Sequence, residues 1–244
     1  MLRLREKDYV KDLLFDLSTD FQFEKPDFDC VLNAKESIEE CCKAEYPAFF
    51  EKSIDDSDWT DISVSWVLSP MDKFYRLGQV FRVMFYIKLI RKDDKKREEY
   101  FTSAEKYLRH ARVIGDALRS RGCGGRSTWH ISEENAWLYI LRGEYEKAIK
   151  LLSNARDSYI KNTYAIALML TRDQQKCAEA ENVLEKALSD QFNLDRSWSA
   201  TLLCWLYELA GQDAKKKDLM AKHGNAMSKT YLRLLSSPED DYKT

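Results

Sequence analysis

The chain has 244 residues, of which 44% are hydrophobic and 33% are charged. Its 39 basic and 41 acidic residues give a net charge of −2, which argues against a nucleic-acid partner because such domains carry a basic surface. The longest apolar run, 80–90, is too short for a membrane span, so we expect no membrane partner. The opening residues mix charges into their apolar pattern, unlike a secretory signal, and the six cysteines include no C-x-x-C pair. These features predict a cytoplasmic protein with reduced thiols.

Within the first 70 residues, 54–70 carry the weakest helical pattern. Helices are predicted near residues 13–21 and over 33–50, whereas 54–70 reads as a loop with a short helix or a brief extended segment. Residues 51–61 hold five acids against one lysine. This run is either a solvated loop or a docking site for a basic partner. Its candidate partner-binding residues are Asp55, Asp56, Asp58, Trp59 and Asp61.

Residues 71–236 contain no proline, which favours long helices joined by short turns. Apolar periodicity predicts two helices, 72–90 and 100–118, that form an antiparallel pair. The run RSRGCGGRST at 119–128 is the clearest break in the chain. We therefore place an N-terminal helical region at 1–121.

The segment WHISEENAWLYILRGEYEKAIKLLSNA, which starts at Trp129, has small and aromatic residues at regular helical positions. They are Ala136, Tyr139, Gly143, Tyr145, Ala148, Leu152 and Ala155. Gly211 follows Gly143 by 68 residues, twice a 34-residue period. This pattern resembles the tetratricopeptide repeat, a helix–turn–helix unit. A second copy starts at Lys161, but its turn, TRDQQKCAEA, lacks the glycine.

A third copy starts at Ser197. It has Lys216 and His223 where alanines are expected, as suits a terminal repeat with one wet face. The resemblance thus implies repeats over 129–236, followed by a polar tail, 237–244, that we expect to be disordered. The expected fold is all-α: a helical bundle followed by a short tetratricopeptide-like solenoid of helix pairs.

In the family that the chain resembles, the first helix of each repeat faces a concave groove. Trp137, Met169 and Trp205 stand at the same position in the three copies, so the resemblance implies that they line this groove as partner-binding residues. The flanking candidates are His130, Glu133, Ile140, Thr201 and Glu208. The alternative is that these large side chains are covered and belong to the core.

Catalytic, cofactor and metal sites are not expected. The three histidines have no ligand partner at zinc spacing, and GCGGRST lacks the spacing of a phosphate-binding loop. Cys123, between Arg121 and Arg126, is either a reactive thiol or part of a plain loop. A cysteine-dependent enzyme would have to combine Cys123 with His110 or His130, and this is the second alternative.

The sequence therefore predicts a non-enzymatic protein-binding module, an adaptor, chaperone or inhibitor, that uses the repeat groove, the acidic segment or both. The first alternative is a bacterial immunity protein that neutralises a toxin, which the chain resembles in layout. The acidic segment would suit a basic toxin.

Overall fold

The structure is a computed structural model that describes residues 28–45, 70–90, 95–120, 128–190 and 196–224. These residues form nine helices and no strand, which confirms the predicted all-α fold for them. The helices are α1 (Phe28–Glu45), α2 (Pro70–Ile90), α3 (Arg97–Ser120), α4 (Thr128–Arg142), α5 (Tyr145–Leu152), α6 (Ser158–Leu170), α7 (Gln174–Ser189), α8 (Arg196–Leu209) and α9 (Asp213–His223). The acidic segment 51–61, Cys123 and the tail 237–244 lie outside the described residues.

Two compact units divide these helices. The N-terminal unit contains α1–α4, and the C-terminal unit contains α5–α9. The division falls between Arg142 and Gly143, inside the segment where the sequence predicts the first repeat. The boundaries of the repeat region, 129–236, stay a prediction.

In the N-terminal unit, α2 and α3 pack as an antiparallel pair. Pro70 opens α2 at the first helical position, where its missing N–H costs nothing. Aromatic rings join the two helices along their length, from Phe74 with His110 (centroids 5.2 Å apart) to Phe85 with Phe101 (5.5 Å). Between these contacts, Gly78 lies so close to α3 that a Cβ on it would stand 2.5 Å from the Cγ atom of Leu108. The absence of a side chain at Gly78 therefore sets the helix spacing.

A polar network links α2 to α4 within the same unit. Arg82, only 4% exposed, donates from Nε to Oε2 of Glu134 at 2.7 Å. Gln79 donates from Nε2 to the other carboxylate oxygen at 2.8 Å. Because both charged side chains are largely removed from water, the pair fixes how α4 lies against α2.

In the C-terminal unit, each helix packs on the next one along the chain, and α6 also contacts α8. Ser199 of α8 donates a hydrogen bond to Oδ1 of Asn162 of α6 at 2.9 Å. On the other side, an ion pair joins Glu146 of α5 to Lys176 of α7. We call α6 and α8 the inner layer, and α5, α7 and α9 the outer layer. This alternation is what stacked helix pairs produce, while a superhelical solenoid stays a prediction.

The two layers differ in burial as their sequences differ in pattern. Nine consecutive residues of α8, from Ser199 to Tyr207, are buried, so this helix has no open face over that stretch. By contrast, α7 buries one stripe at helical spacing: Cys177, Ala180, Leu184 and Ala187. The outer layer therefore supplies much of the open surface of the C-terminal unit.

Candidate functional site

The predicted groove residues are buried in the structure. Trp137, in the N-terminal unit, is 5% exposed, and Met169 and Trp205, in the C-terminal unit, are 3% and 2% exposed. The expectation that they present an open surface is therefore not met. These side chains belong to the core, which is the alternative that the sequence left open. Their role in partner binding stays a prediction.

The flanking candidates are divided between the same two units. In the N-terminal unit, Glu133 and Ile140 are buried and His130 is half-buried. In the C-terminal unit, Thr201 is buried, with its hydroxyl donating to the Ser197 carbonyl at 2.7 Å. Glu208 is half-buried and pairs with Lys216, one of the residues that stand where alanines are expected. None of these five presents a fully exposed side chain.

The cysteines that the structure places in the C-terminal unit lack the chemistry of nucleophiles. Burial raises the pKa of the Cys204 thiol to about 11. Burial, aided by the negative charge of Asp173, also raises the pKa of the Cys177 thiol. Since the thiolate is the reactive form, the raised pKa disfavours reaction of both thiols near neutral pH. Over the described residues, no three His, Cys, Asp or Glu side chains converge as metal ligands.

An open cleft lies in the outer layer of the C-terminal unit, between the first half of α7 and the last turns of α8. Its volume is about 490 Å³. We call it the turn cleft, because the α6–α7 and α8–α9 turns supply its end. It is lined by Arg172, Gln174, Cys177, Ala178, Glu181, Leu206, Tyr207, Ala210 and Gln212.

Both turns depend on a residue in the left-handed backbone region. Gly211, with φ of 65°, ends α8: its N–H donates to the Glu208 carbonyl, and the N–H of Gln212 donates to the Tyr207 carbonyl. At the α6–α7 turn the corresponding residue is Arg172, with φ of 61°. A bulky side chain disfavours this conformation, which glycine adopts freely.

Two neighbours of Arg172 hold the turn that lacks glycine. The Thr171 hydroxyl donates to the Leu168 carbonyl at 2.7 Å and accepts from the N–H of Asp173 at 3.2 Å. Asp173 then caps α7, since its carboxylate accepts from the N–H of Lys176 at 2.9 Å. These side-chain bonds add to the backbone hydrogen bonds from Thr171 to Leu168 and from Arg172 to Met169, and together they keep Arg172 at the turn cleft.

The floor of the turn cleft is apolar and its end is polar. Leu206 and the Cys177 thiol are buried, and Ala178 and Ala210 contribute methyl groups. At the end, Oε1 of Gln212 is buried and has no hydrogen-bond partner. The cleft thus combines apolar area with an acceptor that lacks a donor, as ligand-binding clefts do.

Tyr207, a buried side chain, lines both the turn cleft and a second cleft of about 430 Å³. Lys215 of α9 lies over the Tyr207 ring, 5.3 Å from its centroid, and donates to Glu181 of α7 at 2.6 Å. The Tyr207 hydroxyl donates to Glu185 at 3.3 Å. Burial, together with the nearby carboxylates Glu181 and Glu185, raises the pKa of Tyr207, so this hydroxyl stays protonated.

The second cleft lies between α7, α8 and α9. Leu188, Leu203 and Leu219 give it apolar walls, and its charged lining has both signs, including the ion pair of Lys222 with Asp218. Nearby on α9, Met220 is a large apolar side chain that is 39% exposed. The two clefts share Tyr207 and so adjoin on one surface.

The sequence did not predict these clefts, because the repeat pattern placed the candidate residues on the first helix of each repeat. The signal that was present is the turn TRDQQKCAEA, where an arginine replaces the glycine of the repeat pattern.

Comparison with known proteins adds no family to this description: no protein-family model, curated protein or solved structure matches the chain. Among the described helices, none combines the length and apolar character that a membrane crossing requires.

Proposed function

We propose that this chain is a non-enzymatic protein-binding module that holds its partner on the outer layer of the C-terminal unit, with the turn cleft as the principal contact. The observation that carries the proposal is the turn cleft itself: an open, apolar-floored depression of about 490 Å³ with a buried acceptor that has no partner. Cavities of roughly 300–1,000 Å³ are typical of ligand sites.

The second cleft favours a protein over a small molecule as the ligand. Because Tyr207 lines both clefts, they adjoin, and a single partner segment can contact both. The exposed Met220 extends this surface along α9, and methionine adapts its shape to many partners. An extended surface of this kind suits a polypeptide chain.

Three titrating groups at the two clefts, Cys177, Tyr207 and Lys215, favour binding over catalysis. A general acid or base works best with a pKa near the working pH. The pKa values of Cys177 and Tyr207 are raised, so both stay neutral near pH 7. A hydrogen bond from Lys215 to Glu181 raises the pKa of Lys215, which stays charged. These groups therefore keep one protonation state.

A blocking substitution tests the proposal. Ala178 is exposed and lines the turn cleft, so Ala178→Trp fills it, whereas Gln175 is exposed on the same helix outside the cleft. We expect affinity capture from the native host to recover a partner with the wild-type chain and with Gln175→Trp, but not with Ala178→Trp. Equal recovery of that partner by both variants would contradict the proposal.

A further inference from the structure

We propose that the turn cleft recognises an acidic segment of the partner, in which a Glu or Asp carboxylate pairs with Arg172 and a neighbouring peptide N–H donates to Oε1 of Gln212. This inference rests on the proposed function and names the chemistry of the ligand.

Arg172 provides the first argument. It holds a left-handed conformation, with φ of 61°, as Lys96 does before α3 with φ of 65°, whereas Gly143 and Gly211 take this conformation at two other helix turns. Glycine would satisfy the backbone of this turn without strain. The Thr171 hydroxyl and the Asp173 cap hold the strained residue in place. A strained residue held this firmly at a cleft mouth points to a role for its side chain.

Charge provides the second argument. Two charged side chains line the turn cleft, and one of them, Glu181, is already paired with Lys215. The other, Arg172, is exposed and has no carboxylate partner among the described side chains. The cleft therefore has one uncompensated positive charge. A guanidinium binds a carboxylate through two parallel hydrogen bonds, which gives both strength and orientation.

Gln212 and the floor provide the third argument. Oε1 of Gln212 is buried without a donor, which is costly unless a ligand supplies one. A peptide N–H is a donor that every partner segment carries. Leu206 and Ala178 form apolar area beside these two polar groups. The ligand should therefore place an apolar side chain next to its acidic residue.

The probe is a phage-displayed library of random decapeptides, selected on the full-length chain. We expect the selected peptides to carry Glu or Asp beside an apolar residue. A fluorescein-labelled peptide of this kind should bind Arg172→Gly about tenfold or more weakly than the wild-type chain. Arg172→Gly is the informative variant because glycine suits the turn, so the loss cannot come from misfolding. Arg156→Gly, at an arginine outside the cleft lining, is the control and should bind as the wild type does.

A charge exchange completes the test. A peptide with Arg in place of its acidic residue should bind Arg172→Glu more tightly than it binds the wild-type chain. Selected peptides without acidic residues, or equal affinity for the wild-type chain and Arg172→Gly, would overturn the inference. Displacement of the peptide by free glutamate would also overturn the inference, if it occurs at the concentration at which glutamate binds to the chain on its own. The site would then bind a small carboxylate and not a peptide.

The two proposals fail in different ways. Selected peptides that bind the wild-type chain but not Ala178→Trp, and that lack acidic residues, would overturn only the acidic-segment inference. A selection that yields no peptide sensitive to Ala178→Trp would overturn both the inference and the role of the turn cleft.

Discussion

At the residue scale, Arg172 and Gly211 hold the same place in two helix turns, with φ of 61° and 65°. Exchanges at these positions should shift stability in opposite directions. Arg172→Gly relieves backbone strain, partly offset by the freedom of glycine in the unfolded chain, and should raise the free energy of unfolding by about 0.5–1 kcal/mol. Gly211→Ala should lower it by about 1 kcal/mol, because a Cβ there meets no atom but takes on the strain. Urea denaturation measures both changes, and shifts of the same sign would be inconsistent with this account.

The pair Arg82–Glu134 gives a second prediction at this scale. Glu134→Ala leaves the guanidinium of Arg82 without its carboxylate in a site where only 4% of the arginine is exposed. The free energy of unfolding should fall by about 3 kcal/mol. The double variant Arg82→Met with Glu134→Leu is the control and should lose clearly less, because no charge is left behind. A double variant that is less stable than Glu134→Ala would contradict this explanation of how the pair stabilises the unit.

At the scale of helices, the close approach of α2 and α3 depends on Gly78. Gly78→Ala brings a methyl group within 2.5 Å of Leu108, which is fully buried, and should cost about 1–3 kcal/mol. The same substitution in a Leu108→Ala background should cost much less, since the space is then free. Thermal denaturation of the wild-type chain, the two single variants and the double variant measures the energetic coupling between Gly78 and Leu108. Equal costs in both backgrounds would mean that Leu108 is not the obstacle.

The helices were predicted well where their pattern is strong. The predicted helices 72–90 and 100–118 correspond to α2 and α3, which extend only two or three residues further at the ends that differ. Apolar periodicity and the charge run between them are local signals, and the sequence contains them in full. The predicted helix 33–50 overlaps α1, Phe28–Glu45, which begins five residues earlier, and the predicted end, 46–50, lies outside the described residues.

The candidate site could not be predicted to the same extent. A buried tryptophan and a groove tryptophan obey the same periodicity, so the pattern of Trp205 does not reveal that it is 2% exposed. The α6–α7 turn lacks its glycine, and only the structure reveals that Thr171 and Asp173 complete the turn while Arg172 takes the positive φ. The turn cleft joins residues from α7, α8 and two turns, and such a set has no spacing in the sequence.

At the scale of the whole molecule, both units contain buried polar atoms without a hydrogen-bond partner, such as Nδ1 of His130 in the N-terminal unit and Oε1 of Gln212 in the C-terminal unit. What distinguishes the C-terminal unit is that Gln212 lines an open cleft, together with Arg172, which has no carboxylate partner among the described side chains. Unsatisfied groups at a cleft are available to a ligand. The turn cleft is therefore the reason for assigning partner binding to the C-terminal unit.

Site-specific photo-crosslinking tests that assignment most directly. A photoreactive amino acid at position 174, in place of Gln174, lies at the turn cleft. At position 175, in place of Gln175, it lies exposed on the same helix but outside the cleft. In the native host, we predict a crosslinked partner protein from position 174 and none from position 175. A partner crosslinked equally from both positions, or from position 175 alone, would contradict partner binding at the turn cleft.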